Sequence, residues 1–164
     1  MTFEEFAVSQ LPAVLRFAAV LTGDRASAED VVQEILIRAH RNWSEISGLD
    51  RPERYVRKMV VNEFVSSRRR LRRLIPAGRG SEIDKRMTPD HAACYAERDA
   101  LLTELAKLPQ RQRAVVVLRY YDGYSDSAIA ETLGCTRGTV RSYACRALAT
   151  LRVEMSQPGR ITAP

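Results

Sequence analysis

The sequence predicts an all-α protein built from two small helical domains that are joined by a flexible linker. Three observations lead to this prediction. Apolar residues recur at helical spacing along most of the 164 residues, and prolines, glycines and cap residues divide these stretches into separate helices. The helical pattern then stops between Ile75 and Pro89, where prolines, glycines and scattered charges prevail.

This interruption sets the predicted domain boundaries. We place the first domain at 1–74, a linker at 75–92, the second domain at 93–155 and a short tail at 156–164. A segment rich in glycine, proline and serine cannot bury enough apolar surface to fold alone, so a linker is expected there.

The first domain begins with an apolar stripe at i, i+3, i+4, i+7 spacing. Its members are Val14, Phe17, Ala18 and Leu21. Gly23 ends the helix, and Pro12 is expected near its start, because proline inside a helix removes a hydrogen bond and clashes with the preceding turn. The segment before Pro12 is therefore predicted to be separate.

A second helix is predicted from Ser27 to Trp43, with Trp43 and other apolar residues facing the core. Its opposite face has helical spacing too, and consists of Asp30, Gln33, Glu34, Ile37 and Arg38, followed by Arg41. A solvated surface explains the charged members. It does not explain Ile37, because an apolar residue ringed by charges is typical of a protein-docking surface.

A third helix is predicted from Asp50-Arg-Pro-Glu53 to about Arg73, with Tyr55 among its inward residues. Its outer row is basic and hydrogen-bonding, and it begins with Arg54, Lys58 and Asn62. Asparagine is a poor helix former, so a nucleic-acid contact is one explanation for Asn62. The run that includes Arg68, Arg69 and Arg70 favours phosphate binding, although a solvated basic helix end remains the alternative.

The second domain contains a helix-turn-helix pattern. Ser125 is predicted to cap a short helix that ends at Gly134, and Thr136 to cap a longer one. The outward residues of the longer helix are Arg137, Thr139, Arg141, Ser142, Cys145 and Arg146. Arginine bonds guanine bidentately in the major groove, so this helix is predicted to recognise DNA. A purely structural helical hairpin would have the same caps but less readily the same charge.

Composition excludes several function classes. The net charge of +6 suits a phosphate-rich partner. Three cysteines without a CxxC pair and only two histidines indicate no metal site, no cofactor and no catalytic centre, so an enzyme is not expected. With an acidic N-terminus and no apolar run near the roughly 20 residues of a membrane span, we expect a cytoplasmic protein without membrane contact.

These motifs resemble those of a known family. The stretch LTGDRASAEDVVQEILIRAHRNW looks like region 2 of extracytoplasmic-function (ECF) sigma factors, and YVRKMVVNEFVSSRRR is similar to its promoter-melting part. The stretch from LPQRQRAVVV to RALATLR resembles region 4. The chain is most similar to the short actinobacterial subgroup. The resemblance implies a sigma factor that directs promoter-specific transcription initiation.

The resemblance also implies partners and residue roles. The outer face of the second helix, from Asp30 to Arg38, would meet the clamp helices of the polymerase β′ subunit, and region 4 would meet the β flap. Asn62 would lie near a flipped base of the minus-ten element, and the loop from Ile46 to Arg51 would help to form the pocket for that base. From their place in the same helical row as Asn62, we expect Arg54 and Lys58 to contact DNA as well. Arg141 and its neighbours would recognise the minus-thirty-five element. An anti-sigma factor is a possible further partner.

Two alternatives from other classes stay open at this point. One is a dimeric helix-turn-helix regulator whose N-terminal half binds an effector or a second subunit. The other is a helical adaptor whose basic faces bind acidic proteins. Copurification with core polymerase separates the first from a sigma factor, and promoter preference in the presence of polymerase separates the second.

Overall fold

The structure is a computed structural model that describes residues 1–74 and 94–155, with side chains for 1–66 and 100–151. Every regular element in these ranges is a helix, and the helices form the two expected domains. The predicted linker and tail lie outside the described residues.

The first domain contains α1 (Phe3–Thr22), α2 (Arg25–Arg41), α3 (Trp43–Ile46) and α4 (Pro52–Leu74). Helices α1, α2 and α4 pack around one core, to which each contributes fully buried side chains. These include Phe6, Phe17, Leu21, Val32, Ile35, Val56 and Val60. Burying one such side chain contributes about 1.5–3 kcal/mol, so this core fixes how α2 and α4 are placed.

Helix α1 is continuous through Pro12, so the prediction of a separate preceding segment is wrong. A capping box begins the helix: the hydroxyl of Thr2 accepts from the Glu5 amide at 3.2 Å, and the Glu5 carboxylate accepts from the Thr2 amide at 2.9 Å. Phe6 anchors this first part in the core. Proline removes the bond to the carbonyl of Val8, an exposed residue where water can satisfy that group.

By length and composition α1 could cross a membrane, with a mean hydropathy of 1.2 over its best window. The expectation that no segment is long and apolar enough to span a membrane is therefore wrong for α1. Its large apolar residues Val14, Phe17 and Leu21 are buried in the domain core, so packing accounts for the hydropathy.

Helix α2 begins two residues before the predicted Ser27, because the carboxylate of Asp24 caps it and accepts from the Ser27 amide at 2.7 Å. Trp43 does not end α2 but begins α3. It packs half-buried against Phe3 and Phe6. Tyr55, predicted to face inward on α4, is 43% exposed.

The second domain contains α5 (Cys94–Lys107), α6 (Gln110–Val116), a π-helical turn (Val117–Tyr121), α7 (Asp126–Leu133) and α8 (Arg137–Met155). The caps of the helix-turn-helix follow the sequence pattern. The Ser125 hydroxyl accepts from the Ala128 amide at 3.3 Å, and the Thr136 hydroxyl from the Thr139 amide at 3.1 Å. Gly134 ends α7 with φ of 61°, a left-handed conformation that favours glycine.

The π-helical turn after α6 was not predicted. It ends where the Asp122 amide donates to the carbonyl of Val117, five residues back, at 3.1 Å. Tyr121, at the end of this turn, is 50% exposed.

The two domains contact each other directly. Helix α4 packs against α6 and α7, and α1 packs against α5. The buried apolar residues of both domains form one continuous cluster. The sequence indicates the two domains but gives no sign of this interface.

Candidate polymerase and DNA interfaces

The charged face of α2 lies on the surface, where the sequence predicts it. We call Asp30, Gln33, Glu34, Ile37 and Arg38 the docking stripe. The first four are exposed and Arg38 is partly exposed, whereas Val32, Ile35 and Ala39 on the other side of the helix are buried. Ile37 is 45% exposed. The stripe therefore presents an apolar side chain surrounded by charges, as a protein-binding surface does.

Arg38 connects the docking stripe to α4. Its guanidinium bonds Glu34 at 2.9 Å along α2 and Glu63 of α4 at 3.0 Å. The hydrogen bond with Glu34, with help from Glu63, raises the pKa of Arg38 above its ordinary value. Glu63 is absent from the sequence-based site, since no local pattern pairs residues 25 positions apart. It lies next to Asn62, so the ion pair between Arg38 and Glu63 links the docking stripe to the part of α4 that carries the predicted minus-ten contact.

The members of the basic row of α4 have different surroundings. Asn62 is exposed to solvent. The ammonium of Lys58 bonds the carboxylate of Glu131 on α7 at 2.9 Å, and the guanidinium of Arg54 lies 5.3 Å from the ring centre of Tyr124. Two of the three predicted DNA contacts are thus engaged with the second domain.

The arginine run at the end of α4 is only partly described. The backbone of Arg68, Arg69 and Arg70 is helical, but their side chains lie outside the described residues. Their predicted phosphate contacts stay a prediction.

The outward face of α8 forms a second basic surface. Arg137, Arg141, Cys145 and Arg146 are exposed, and Thr139 and Ser142 are partly exposed. The buried side of α8 includes Val140, Ala144, Ala147 and Leu151, which hold the helix against the domain core. The six predicted contact residues therefore share an accessible face, as major-groove recognition requires.

Asp126, in the first turn of α7, links α8 to the π-helical turn. Its carboxylate accepts a hydrogen bond from Arg119 and lies 3.5 Å from Nε of Arg141. The bond with Arg119 lowers the pKa of Asp126 below its ordinary value, so the carboxylate is charged at neutral pH. Asp126 was not predicted from the sequence, although an acidic residue at a helix start is a favourable site for such a charge.

Two family profiles match the chain. "Sigma-70 region 2" matches residues 7–74, which include the docking stripe and the described part of α4. "Sigma-70, region 4" matches residues 98–151, which include α7 and most of α8.

Similar proteins agree with the profiles. "ECF RNA polymerase sigma factor SigL" of Mycobacterium tuberculosis is 36% identical over 149 residues, which cover 88% of this chain and 83% of that protein. "RNA polymerase sigma-E factor" of Streptomyces coelicolor is 32% identical over 156 residues, which cover 94% and 86%.

A solved structure resembles the whole fold. The sigma factor RpoE from Bartonella quintana, solved in complex with the anti-sigma factor NepR, matches with a TM-score of 0.65 and 23% identity. The match covers 94% of this chain and 98% of that one. At this identity the likeness concerns the fold alone. Because both profiles and the long relatives agree, the chain belongs to the ECF sigma factors of the sigma-70 family, which direct promoter-specific transcription initiation.

Proposed function

We propose that this sigma factor binds polymerase and the two promoter elements through three separate surfaces, and that it has no catalytic site of its own. The docking stripe binds the clamp helices of the polymerase β′ subunit. The α4 row around Asn62 recognises and opens the minus-ten element, and α8 recognises the minus-thirty-five element. Region 4 also binds the β flap, and the protein acts in the cytoplasm.

One observation carries most of this proposal: the apolar and charged residues of the docking stripe are accessible while α2 is anchored by its buried side. A surface that served only solubility would have no need of Ile37 at its centre. The ion pair between Arg38 and Glu63 connects the docking stripe to α4. Binding of polymerase to the stripe would therefore also fix the position of α4.

The α4 row supports the melting role. Opening a promoter requires that a base leave the stack, which costs a few kcal/mol and needs a pocket that accepts it. Asn62 is exposed on a helix held by the buried residues Val60, Val61 and Phe64. An amide can both donate to and accept from a base edge, so Asn62 suits this contact.

A regulatory partner is part of the proposal. The Bartonella quintana relative in fold was solved with an anti-sigma factor, and the structure of CnrH was solved with the cytosolic domain of CnrY. We infer that an anti-sigma protein can hold this factor inactive.

The experiment that tests the proposed function is transcription in vitro with core polymerase on a promoter library. We expect core polymerase alone to be inactive and the complex with this chain to start at promoters that share two short elements. Copurification with core polymerase is expected as well. Binding of an operator as a free dimer, without association with core, would instead identify a classical regulator.

A further inference from the structure

The connection between α2 and α4 is fixed by few side chains. It contains α3 and the loop at 46–51, which we call the base loop because the family resemblance assigns it to the pocket for the flipped base. Of residues 40–51, all of which the structure describes, only Trp43 and Ile46 are not exposed. The side chains of these two residues therefore hold the whole connection against the domain.

The first turn of α1 holds the side chain of Trp43. The indole ring packs against the rings of Phe3 and Phe6, with distances between ring centres of 5.5 and 4.8 Å. Its Nε1 donates to the carbonyl of Met1 at 3.1 Å. We call Met1, Phe3 and Phe6 the indole seat. Because Phe6 is buried in the domain core, the seat connects Trp43 to that core.

The indole seat is itself fixed in position. The capping box of Thr2 and Glu5 holds the first turn of α1 in helical form. Phe3 also packs edge-on against His40, near the end of α2, at 4.8 Å between ring centres. Aromatic pairs prefer edge-on and offset arrangements, so the seat specifies the orientation of the Trp43 ring as well as burying it.

Backbone hydrogen bonds connect Trp43 to the base loop. The Ser47 amide donates to the Trp43 carbonyl at 2.8 Å, and the Leu49 amide donates to the Ile46 carbonyl at 3.1 Å. At the other end of the loop, the Arg51 carbonyl accepts from two amides in the first turn of α4, at 3.1 and 3.3 Å. The loop is thus held between α3 and α4, and a displacement of α3 moves it.

The base loop presents groups that suit an unstacked base. Leu49 is 44% exposed, and apolar side chains of this kind pack on the faces of a base. Ser47 and Asp50 are exposed too and supply polar atoms for a base edge. None of these three side chains is buried, so the loop depends on its two ends for its position.

We propose that Trp43 is a positioning residue for minus-ten recognition. It contacts no base itself. Held in the indole seat, it sets the position of the base loop relative to Asn62 on α4. A pocket displaced by about 1 Å loses the geometry that distinguishes one base from another. The proposal rests on the proposed function for the role of the base loop, whereas the contact between Trp43 and α1 does not.

Fluorescence tests whether the indole seat exists in solution. Trp43 is the only tryptophan of the chain, so the emission of the full-length protein comes from this ring. We expect Phe3→Ala to shift the emission to longer wavelength, because water then reaches the indole. The control is Val14→Ala, which removes buried volume about 12 Å farther along the same helix than Phe6. It should leave the emission unchanged.

Base preference of the complex with core polymerase tests the positioning role. The template is a promoter from the library with a pre-melted minus-ten bubble, in which each non-template base is varied in turn. One position contributes on the order of tenfold to such a preference, and we expect Trp43→Ala and Phe3→Ala to reduce it to about twofold at the flipped base. Trp43→Phe keeps a ring against α1 and should retain most of the preference.

The ratio between bases separates positioning from stability. Partial unfolding lowers transcription from all templates by the same factor, which cancels in the ratio. Val14→Ala should therefore lower the melting temperature but keep the wild-type preference. Competition for core enzyme should stay near wild type for every variant, because the docking stripe lies on α2 before Trp43.

Three results would overturn the positioning role. Unchanged emission of Phe3→Ala would show that Trp43 is not held by α1 in solution. Wild-type preference in both Trp43→Ala and Phe3→Ala would show that the base loop does not need the seat, and the proposed function would stand. An equal loss of preference in Val14→Ala would indicate general destabilisation. If the wild-type complex has no base preference in the bubble, the proposed minus-ten role itself is wrong, and the positioning role with it.

Discussion

At the scale of single residues, we expect Asp126 to determine how Arg141 is presented to DNA. A long arginine side chain on an exposed helix face has many rotamers, and fixing it costs conformational entropy. The carboxylate of Asp126, itself held by Arg119, lies close enough to Nε of Arg141 to restrict those rotamers in advance. The two terminal nitrogens of Arg141 are then left for a bidentate contact with guanine.

Replacement of Arg141 by alanine should relax preference at one position of the minus-thirty-five element and cost about 1–3 kcal/mol for the preferred base. Binding of region 4 to a set of single-base promoter variants measures this. A uniform loss over all sequences would show that Arg141 is a phosphate anchor instead.

The change Asp126→Asn should reduce preference at the same base position by a smaller factor, since Arg141 keeps its charge but loses its restraint. Ser127→Ala, the neighbouring exposed residue of α7, is the control. If Asp126→Asn leaves the whole preference profile intact, the positioning role is wrong.

Asp126 also predicts a dependence of stability on pH. Its folded-state pKa is lowered by Arg119, so its stabilising effect is complete above the ordinary aspartate pKa of about 4 and is lost as the pH falls through the lowered value. The difference in unfolding free energy between wild type and Asp126→Asn should therefore be constant from about pH 5 upward and shrink in more acidic solution. Urea denaturation at several pH values measures it. A difference that grows on acidification would contradict the assignment.

At the scale of elements, the two faces of α2 differ in role: one is buried in the domain core, and the other carries the docking stripe. Its buried side packs against α1 and α4, whereas the docking stripe makes contacts chiefly through Arg38. Substitutions in the stripe should therefore affect a partner more than the fold.

Replacing Gln33 and Glu34 by alanine should weaken binding to core polymerase by about tenfold or more, as expected for central interface residues. The helical content and the melting temperature should stay close to wild type. Competition with a labelled sigma factor for core enzyme is the measurement, and Arg25→Ala, at the exposed start of α2, is the control. Unchanged competition by the double variant would remove the stripe from the interface.

The helices also show how much of the secondary structure can be predicted from local sequence patterns. Periodicity and cap residues predicted the helices and the turn of the helix-turn-helix, because these depend on neighbours within four residues. They failed at Pro12 and at the π-helical turn. At Pro12 the capping box and the burial of Phe6 outweigh one lost hydrogen bond, and that balance depends on tertiary packing.

The continuity of α1 can be tested with Pro12→Ala. Restoring an amide in the middle of an exposed helix face should raise the free energy of unfolding by about 1–3 kcal/mol. Chemical denaturation measures this, with Gln10→Ala in the same turn as the control. A loss of stability would indicate that the chain needs a break at Pro12.

At the scale of the whole molecule, the two domains and their order could be predicted from sequence, but their mutual packing could not. Arg113 and Leu21 are 92 positions apart, and Arg57 and Asp122 are 65 apart. No periodic pattern relates such residues, and an arginine that caps two helices looks in sequence like any surface arginine. The exposed faces of α2 and α8 were predictable, because exposure of one helix face follows from burial of the other.

We expect α4 to open promoter DNA and Asn62 to receive a base removed from the stack. Asn62→Ala should leave core binding and minus-thirty-five recognition nearly intact, because Asn62 is exposed and supports neither the docking stripe nor α8. Asn42→Ala, at an exposed position between α2 and α3, makes the same chemical change away from the proposed site.

Permanganate footprinting with run-off transcription, on a duplex promoter and on the same promoter with a pre-melted minus-ten bubble, measures this role of Asn62. We expect Asn62→Ala to lose most opening and transcription on the duplex, to recover much of its activity on the bubble, and to show relaxed preference at the flipped base. Normal opening of the duplex by Asn62→Ala would show that Asn62 does not act in promoter opening.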